Sequence, residues 1–348
     1  MRARRISRDE LPLARLAGLV LCRDARDGSG ARVLEKGRVL TERDVELLPS
    51  LAWDELHLVE MEPGDVHEER AGAMLARLAA GEGTVPGTLS GGHWPVCATT
   101  RGLLRVDVER LRRANEIEGV CVYTLFDGQV VDAGEAVART KITPFVLEGA
   151  RVRAIEALSR ETAEGLVRVR PFLPTRVGAV VQETLGDRAM ARFRDALAEK
   201  VEWLGSELAE PLFVPPRPEG VAGAIEALAR GGARVIALAG SRAMDPLDPA
   251  FEALGRLGAV MERHGVPAHP GSLFWLARWR ETPILGMPSC GLFSQASVFD
   301  LVLPRILAGE PFGRAELAAM GHGGFLTRDM AFRFPPYRAR GSRGEAGE

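Results

Sequence analysis

Two rhythms of apolar and polar positions run along the chain, and the change between them falls near residue 175. Beyond it, Arg176–Val181 reads as a buried strand. Met190, Phe193, Leu197, Val201 and Leu204 then recur at spacings of three and four, which predicts a helix with one buried face. The succession repeats. Residues 211–214 predict a short strand, and 219–230 a helix with Val221, Ala222, Ile225 and Leu228 inward. Residues 234–239 predict a buried strand, followed by a helix carrying Phe251, Leu254, Leu257 and Val260. Residues 283–287 predict another strand and 294–307 a closing helix. Strand and helix in alternation, with short connections, predict an α/β fold: a three-layer α/β/α sandwich around a mostly parallel sheet.

The first half has no such regularity and predicts a smaller α+β domain. Thr41 and Asp44 form a capping pattern for a short helix, and Glu55–Glu60 alternates like a half-buried strand. Asp65 is placed to cap a helix in which Ala71, Met74, Leu75 and Leu78 recur, stopped by Gly81 and Gly83. After a Gly/Pro-rich loop over 81–95, strand-like runs cover 119–126, 129–131 and 137–147, with Asp127-Gly128 as a hairpin signal. Pro171 and Pro174 mark a linker. The expected organisation is therefore an N-terminal domain over 1–172, the α/β domain over 173–310, and an extension over 311–348. The end of that extension, rich in Gly, Arg and Glu, has the composition of a disordered tail.

Composition narrows the function. A net charge of −2 over 348 residues gives no long-range pull toward nucleic acid or an anionic membrane. The arginines near the two ends, such as Arg2, Arg4, Arg5 and Arg340, Arg343, lack interleaved aromatics and read as solvated tails. No apolar run approaches the ~18 residues that span a bilayer. Cys22, Cys97, Cys121 and Cys290 lie far apart without a C-x-x-C, which argues against a zinc ribbon and a disulfide framework. With no secretory cleavage pattern, a reduced, cytoplasmic protein is expected.

In a doubly wound sheet, ligands sit beyond the carboxyl ends of the strands, here after Val181, Ala239 and Met287. After Ala239 come Gly240, Ser241, Arg242, Asp245 and Asp248. Gly240 permits close backbone approach, and Ser241 and Arg242 suit an anionic oxygen. Asp248 lies just before Pro249, so a helix cap is the plain alternative to a catalytic or metal-binding role. Gly286-Met287-Pro288-Ser289-Cys290-Gly291-Leu292-Phe293-Ser294 leads into the last helix, and its backbone N–H groups and helix dipole suit a phosphate. The spacing is wrong for a nucleophile elbow. Cys290 reads as a small buried side chain rather than a nucleophile. Upstream, Pro270, Gly271 and Ser272 form a turn before an apolar segment with Trp275, an aromatic for core packing or for stacking on a flat heterocycle. The six histidines share no metal-ligand spacing.

Taken in order, these segments resemble the molybdopterin-binding domain of molybdopterin adenylyltransferases, molybdopterin molybdotransferases and gephyrin. The resemblance rests on residues 177–181, Gly240-Ser241, Asp248, Pro270-Gly271 and Gly286-Met287-Pro288. Residues 265–309 are most similar to stand-alone molybdopterin-binding proteins associated with molybdenum hydroxylases. Residues 36–40 and 107–117 carry the similarity into the first half. Three departures matter. The family's Thr-Gly-Gly is Ala239-Gly240-Ser241 here, no acid stands in Val214-Pro215-Pro216-Arg217, and Gln182-Glu183-Thr184 replaces a serine/threonine-glycine-aspartate pattern.

The resemblance implies a molybdopterin ligand, bound through Gly240, Ser241, Arg242, Asp245, Pro270, Gly271, Ser272, Gly286, Pro288, Ser289 and Ser294. It implies Asp248 as catalytic and metal-binding residue if Mg²⁺ takes part, a homo-oligomer, and a recipient molybdoenzyme. With one of two expected carboxylates missing, binding of molybdopterin or molybdenum cofactor for assembly or delivery is favoured over adenylyl transfer or molybdate insertion. A transferase-like enzyme, or a scaffold with a vestigial pocket, remains open.

Overall fold

The computed structural model describes residues 1–10, 15–287 and 297–337. The chain divides into two compact units, one built from Met1–Thr100, Leu104–Asp127 and Asp132–Val169, the other from Arg101–Leu103, Gly128–Val131 and Arg170–Glu348.

In the first unit the strands are short and antiparallel. Arg2–Ser7, Glu55–Glu60 and Val20–Leu21 form one sheet, with Glu55–Glu60 central. Val120–Thr124, Ala136–Ile142, Trp94–Ala98 and Thr84–Pro86 form another, so a strand lies inside the segment expected to be loop. The Thr41/Asp44 capping box is present at the helix Glu42–Leu47. Asp65 caps nothing. Val66–His67 pairs with Val146–Leu147, which delays the helix to Glu68–Ala79, and the His67 ring accepts from the Glu69 N–H. The Asp65 carboxylate accepts instead from the Gly149 N–H at 3.0 Å. Nor does Asp127-Gly128 close a hairpin, because Val120–Thr124 pairs with Ala136–Ile142. The Asp127 carboxylate accepts from Arg105 and from the Val106 N–H. Helices at Val108–Asn115 and Gly149–Arg160 complete the unit.

The second unit is the three-layer sandwich. Its strands are β1 (Arg176–Val181), β2 (Glu207–Leu208), β3 (Leu212–Phe213), β4 (Val235–Ala239), β5 (Val260–His264), β6 (Trp275–Trp279) and β7 (Thr282–Met287). They form one sheet in the order β2-β1-β4-β7-β6-β5, with β3 also on β1. The contacts among β1, β2, β3, β4 and β7 are all parallel, as the alternation predicts.

Neighbouring side chains along a strand go to opposite layers. Val177, Ala179, Val181, Val235, Ala237 and Ala239 pack with α1 (Asp187–Trp203) and α4 (Val298–Leu307). Val180, Ile236 and Leu238 pack with α2 (Pro218–Arg230) and α3 (Pro249–Leu257). A buried strand therefore reads as a continuous apolar run because both its faces are covered.

Three details depart from expectation. The third helix stops at Leu257, where Gly258 takes φ +66°, and Val260 belongs to β5. The apolar segment before β7 is β6, joined to β7 by a hairpin at Arg280-Glu281, with Trp279 opposite Thr282. Both β5–β6 and β6–β7 are antiparallel. Trp275 is fully buried and Trp279 packs against the core. The extension carries a helix at Arg314–Ala319 and continues through Tyr337; its expected disordered end lies outside the described residues.

Candidate functional site

The parallel register aligns the ends of three strands. Val181 stands opposite Ala239, and Ala239 opposite Met287. The chain therefore leaves β1, β4 and β7 along one edge of the sheet, with Gln182 and Gly240 the first residues beyond β1 and β4. Pro288, Ser289, Cys290 and Ser294 lie outside the described residues.

The loop after β4 is organised by Asp248. Its carboxylate accepts from the Ala250 N–H at 2.9 Å, from the Arg242 N–H at 2.9 Å and from the Gln182 side-chain amide at 2.8 Å. It is 2% exposed and caps α3, with Pro249 in the first turn. This is the helix-cap alternative, with an added grip on the end of β1 through Gln182. Among the described residues no three His, Cys, Asp or Glu side chains come together as a metal site. Three of the roughly four acceptor positions of the Asp248 carboxylate are thus engaged in holding the loop.

Gln182 escapes a motif-based reading, although its place directly after β1 marks it. Its amide donates to the Gly240 carbonyl at 3.2 Å as well as to Asp248. Both partners only accept, which fixes the orientation of the amide. Its Oε1 is buried and has no partner among the described residues. An orphaned acceptor of this kind costs about 1–3 kcal/mol until a donor reaches it.

Gly240 takes φ +87°, and a β-carbon there would lie 2.8 Å from the Glu183 side chain. Ser241 is buried, and its hydroxyl accepts from the Trp275 indole N–H at 3.0 Å, leaving its own proton to donate onward. Trp275 is thus a core residue that ties β6 to the loop, not a stacking platform. Gly286 exists for the same indole, since a β-carbon would sit 1.7 Å from the ring. The Arg242 side chain is exposed and has no ion-pair partner among the described residues. Asp245 is exposed and accepts from the Leu247 N–H.

The Pro270 turn reaches α4. A β-carbon on Gly271 would lie 2.5 Å from Val298, so only glycine lets the turn approach the start of α4 this closely. Ser272 is exposed, and its carbonyl accepts from the Val266 N–H at 3.0 Å.

At that start sits a buried cluster of which the sequence shows only the Ser297-x-x-Asp300 capping pattern. Asp300, fully buried, accepts from Lys200 at 2.7 Å, from the Tyr337 hydroxyl at 2.9 Å, and from both the N–H and the hydroxyl of Ser297. Burial, and then the Asp300 carboxylate, push the Tyr337 phenol well above its ordinary range, so it stays protonated and donating. Two cavities of the first unit, of about 280 and 130 Å³, contain none of the expected site residues.

No known protein family matches the chain, and no curated protein matches it. Among solved structures, it is similar to the molybdopterin biosynthesis moea protein from Pyrococcus horikosii. That likeness has 15% identity and a TM-score of 0.31, and covers 72% of this chain and 76% of that one. It is also similar to a protein from Corynebacterium diphtheriae described as a molybdenum cofactor biosynthesis protein. Here identity is 18% and the TM-score 0.27, over 42% of this chain and 98% of that one.

Proposed function

We propose that the second unit binds molybdopterin, or the molybdenum cofactor, at the edge where β1, β4 and β7 end, and that the chain serves assembly or delivery of that cofactor. The observation that carries this reading is the convergence of the ordered motif residues. Gly240, Ser241 and Arg242 follow β4, Gly286 lies in the adjacent β7, and the Pro270-Gly271 turn abuts the start of α4. The residues present fit the ligand's chemistry. The buried Oε1 of Gln182 lacks a donor among the described residues, and a pterin amino group is one. The exposed guanidinium of Arg242 and the sequence of the turn beyond Met287 suit the phosphate.

Binding is favoured over metal-dependent transfer because the carboxylate oxygens of Asp248 already hold the loop, Gln182 and α3. Nothing among the described residues gathers a ligand set for Mg²⁺. A homo-oligomer and a recipient molybdoenzyme rest on the resemblance alone.

The test is mass spectrometry of the pterin that co-purifies with native protein, followed by titration of variants with molybdopterin. Arg242→Ala is expected to weaken binding roughly tenfold, the size of one charge-assisted bond. Ser289→Asp sets a negative charge in the turn expected to hold the phosphate and is expected to weaken it by about thirtyfold. Parent-like affinity in both variants would move the phosphate elsewhere. Absence of any pterin, bound or titrated, would end this reading.

A further inference from the structure

We infer that the segment Gly324–Tyr337 is a brace for the candidate cleft, and that Tyr337 is a positioning residue acting on the start of α4 through Asp300. The inference rests on the molybdopterin reading only for the identity of the ligand; the bracing itself stands on geometry.

The segment grips both elements that meet at Gly271. At the Pro270 turn, the His269 N–H donates to the Gly324 carbonyl and the Leu326 N–H donates to the His269 carbonyl, each at 2.8 Å. These bonds clamp the residue next to Pro270 from both sides. The approach is tight, because a β-carbon on Gly324 would lie 2.3 Å from the Pro267 carbonyl oxygen. Leu326 and Phe334 then enter the same core as Phe299 and Val302 of α4. Farther on, the Tyr337 hydroxyl reaches Asp300. The Tyr337 ring stands edge-on to Trp203 at 5.6 Å, and the Arg101 guanidinium covers that indole at 4.2 Å.

Asp300 holds two jobs at once. One carboxylate oxygen closes the capping box of α4 with Ser297, and the other receives Lys200 and Tyr337. Lys200 belongs to α1, on the same layer as α4, so the lysine sets where the carboxylate sits in the layer. Tyr337 approaches the same oxygen from the extension and fixes the direction in which Asp300 presents its other oxygen to Ser297. Ser297 is the N-cap through which the chain enters α4. Removing the phenol hydroxyl therefore loosens the cap without removing an apolar contact, because the ring remains on Trp203.

The experiment compares full-length parent, Tyr337→Phe and Gly324→Ala by hydrogen exchange and by titration with molybdopterin. The amides of 298–302 and of 266–272 report the two grips, and those of α2, on the opposite layer, serve as the internal control. Tyr337→Phe is expected to speed exchange at 298–302 roughly tenfold, the loss of one hydrogen bond to a charged acceptor, with α2 unchanged. It is expected to weaken molybdopterin several-fold. Gly324→Ala is expected to speed exchange at 266–272. Leu228→Ala, a core truncation in α2, speeds exchange globally and so marks what a merely destabilising change looks like. Unchanged exchange at 298–302 in Tyr337→Phe overturns the brace. Faster local exchange with parent-like affinity overturns the positioning role. Faster local exchange in a protein whose parent binds no molybdopterin leaves the brace standing and removes the ligand reading.

Discussion

Two regions of the second unit are each built around a buried aspartate at the start of a helix, and they are neutralised in opposite ways. Asp248 faces only dipoles: two backbone N–H groups and the amide of Gln182. Asp300 faces a full charge, the Lys200 ammonium, together with two hydroxyls. Dipoles supplied by the neighbouring backbone come at little desolvation cost, whereas burying an ammonium and a carboxylate together is tolerable only while both remain. The loop after β4 should therefore bend under substitution, and the start of α4 should break.

The largest effect is expected at the charged site. Asp300→Ala leaves the Lys200 ammonium buried without this counter-charge and uncaps α4, at about 3–5 kcal/mol. Denaturant unfolding measures it, and a loss below about 1 kcal/mol would show that the pair is not closed to water. At the dipolar site, Asp248→Ala loses a helix cap and orphans two donors, and about 2 kcal/mol is expected. Repeating that melt in millimolar Mg²⁺ sharpens the contrast. A metal-induced rise in the parent midpoint, absent from Asp248→Ala, would make the carboxylate a ligand after all.

The smallest effect belongs to a third capping aspartate, in the first unit. The Arg38 guanidinium, aided by bonds from Thr41, holds Asp44 down to about 2. Because the folded value lies below the ordinary one, this stabilisation is complete above about pH 4 and is lost as pH falls through about 2. Arg38 is half exposed, so the contribution is on the order of 1 kcal/mol. Asp44→Asn should flatten that part of the acid-unfolding curve, and an unchanged slope between those limits would place the pH dependence elsewhere.

The same contrast explains which features are legible in the sequence. Asp248 is readable as a cap because everything that makes it one lies within six residues, apart from Gln182. The buried parallel strands are readable because cover on both faces demands an unbroken apolar run. Asp300 shows only its capping half, as Ser297-x-x-Asp300; its buried charge partner gives no signal, since Lys200 lies 100 positions before it and Tyr337 37 after. The β6–β7 hairpin escapes for a local reason. Its two-residue turn is Arg280-Glu281, with Arg280 at φ +53°, and it lacks the glycine or asparagine that usually marks such a turn. The motif residues are legible, but the purpose of several is not. Gly286 and Ser241 both answer to Trp275, a packing demand that a loop pattern does not display.

The reversal of direction at β6 and β5 has one more consequence. A parallel sheet that ended on β7 would offer an extended apolar row of unpaired backbone groups, a template for a strand from any neighbouring chain. Here the last strand, β5, is five residues long and changes register between Met261 and Arg263. A bulge of this kind twists the outer backbone away from straight pairing. Glu262, at the bulge, is held inward by Arg278. The antiparallel pair thus acts as a terminator, ending the sheet in a form that resists addition of further strands and protects the chain from edge-to-edge aggregation.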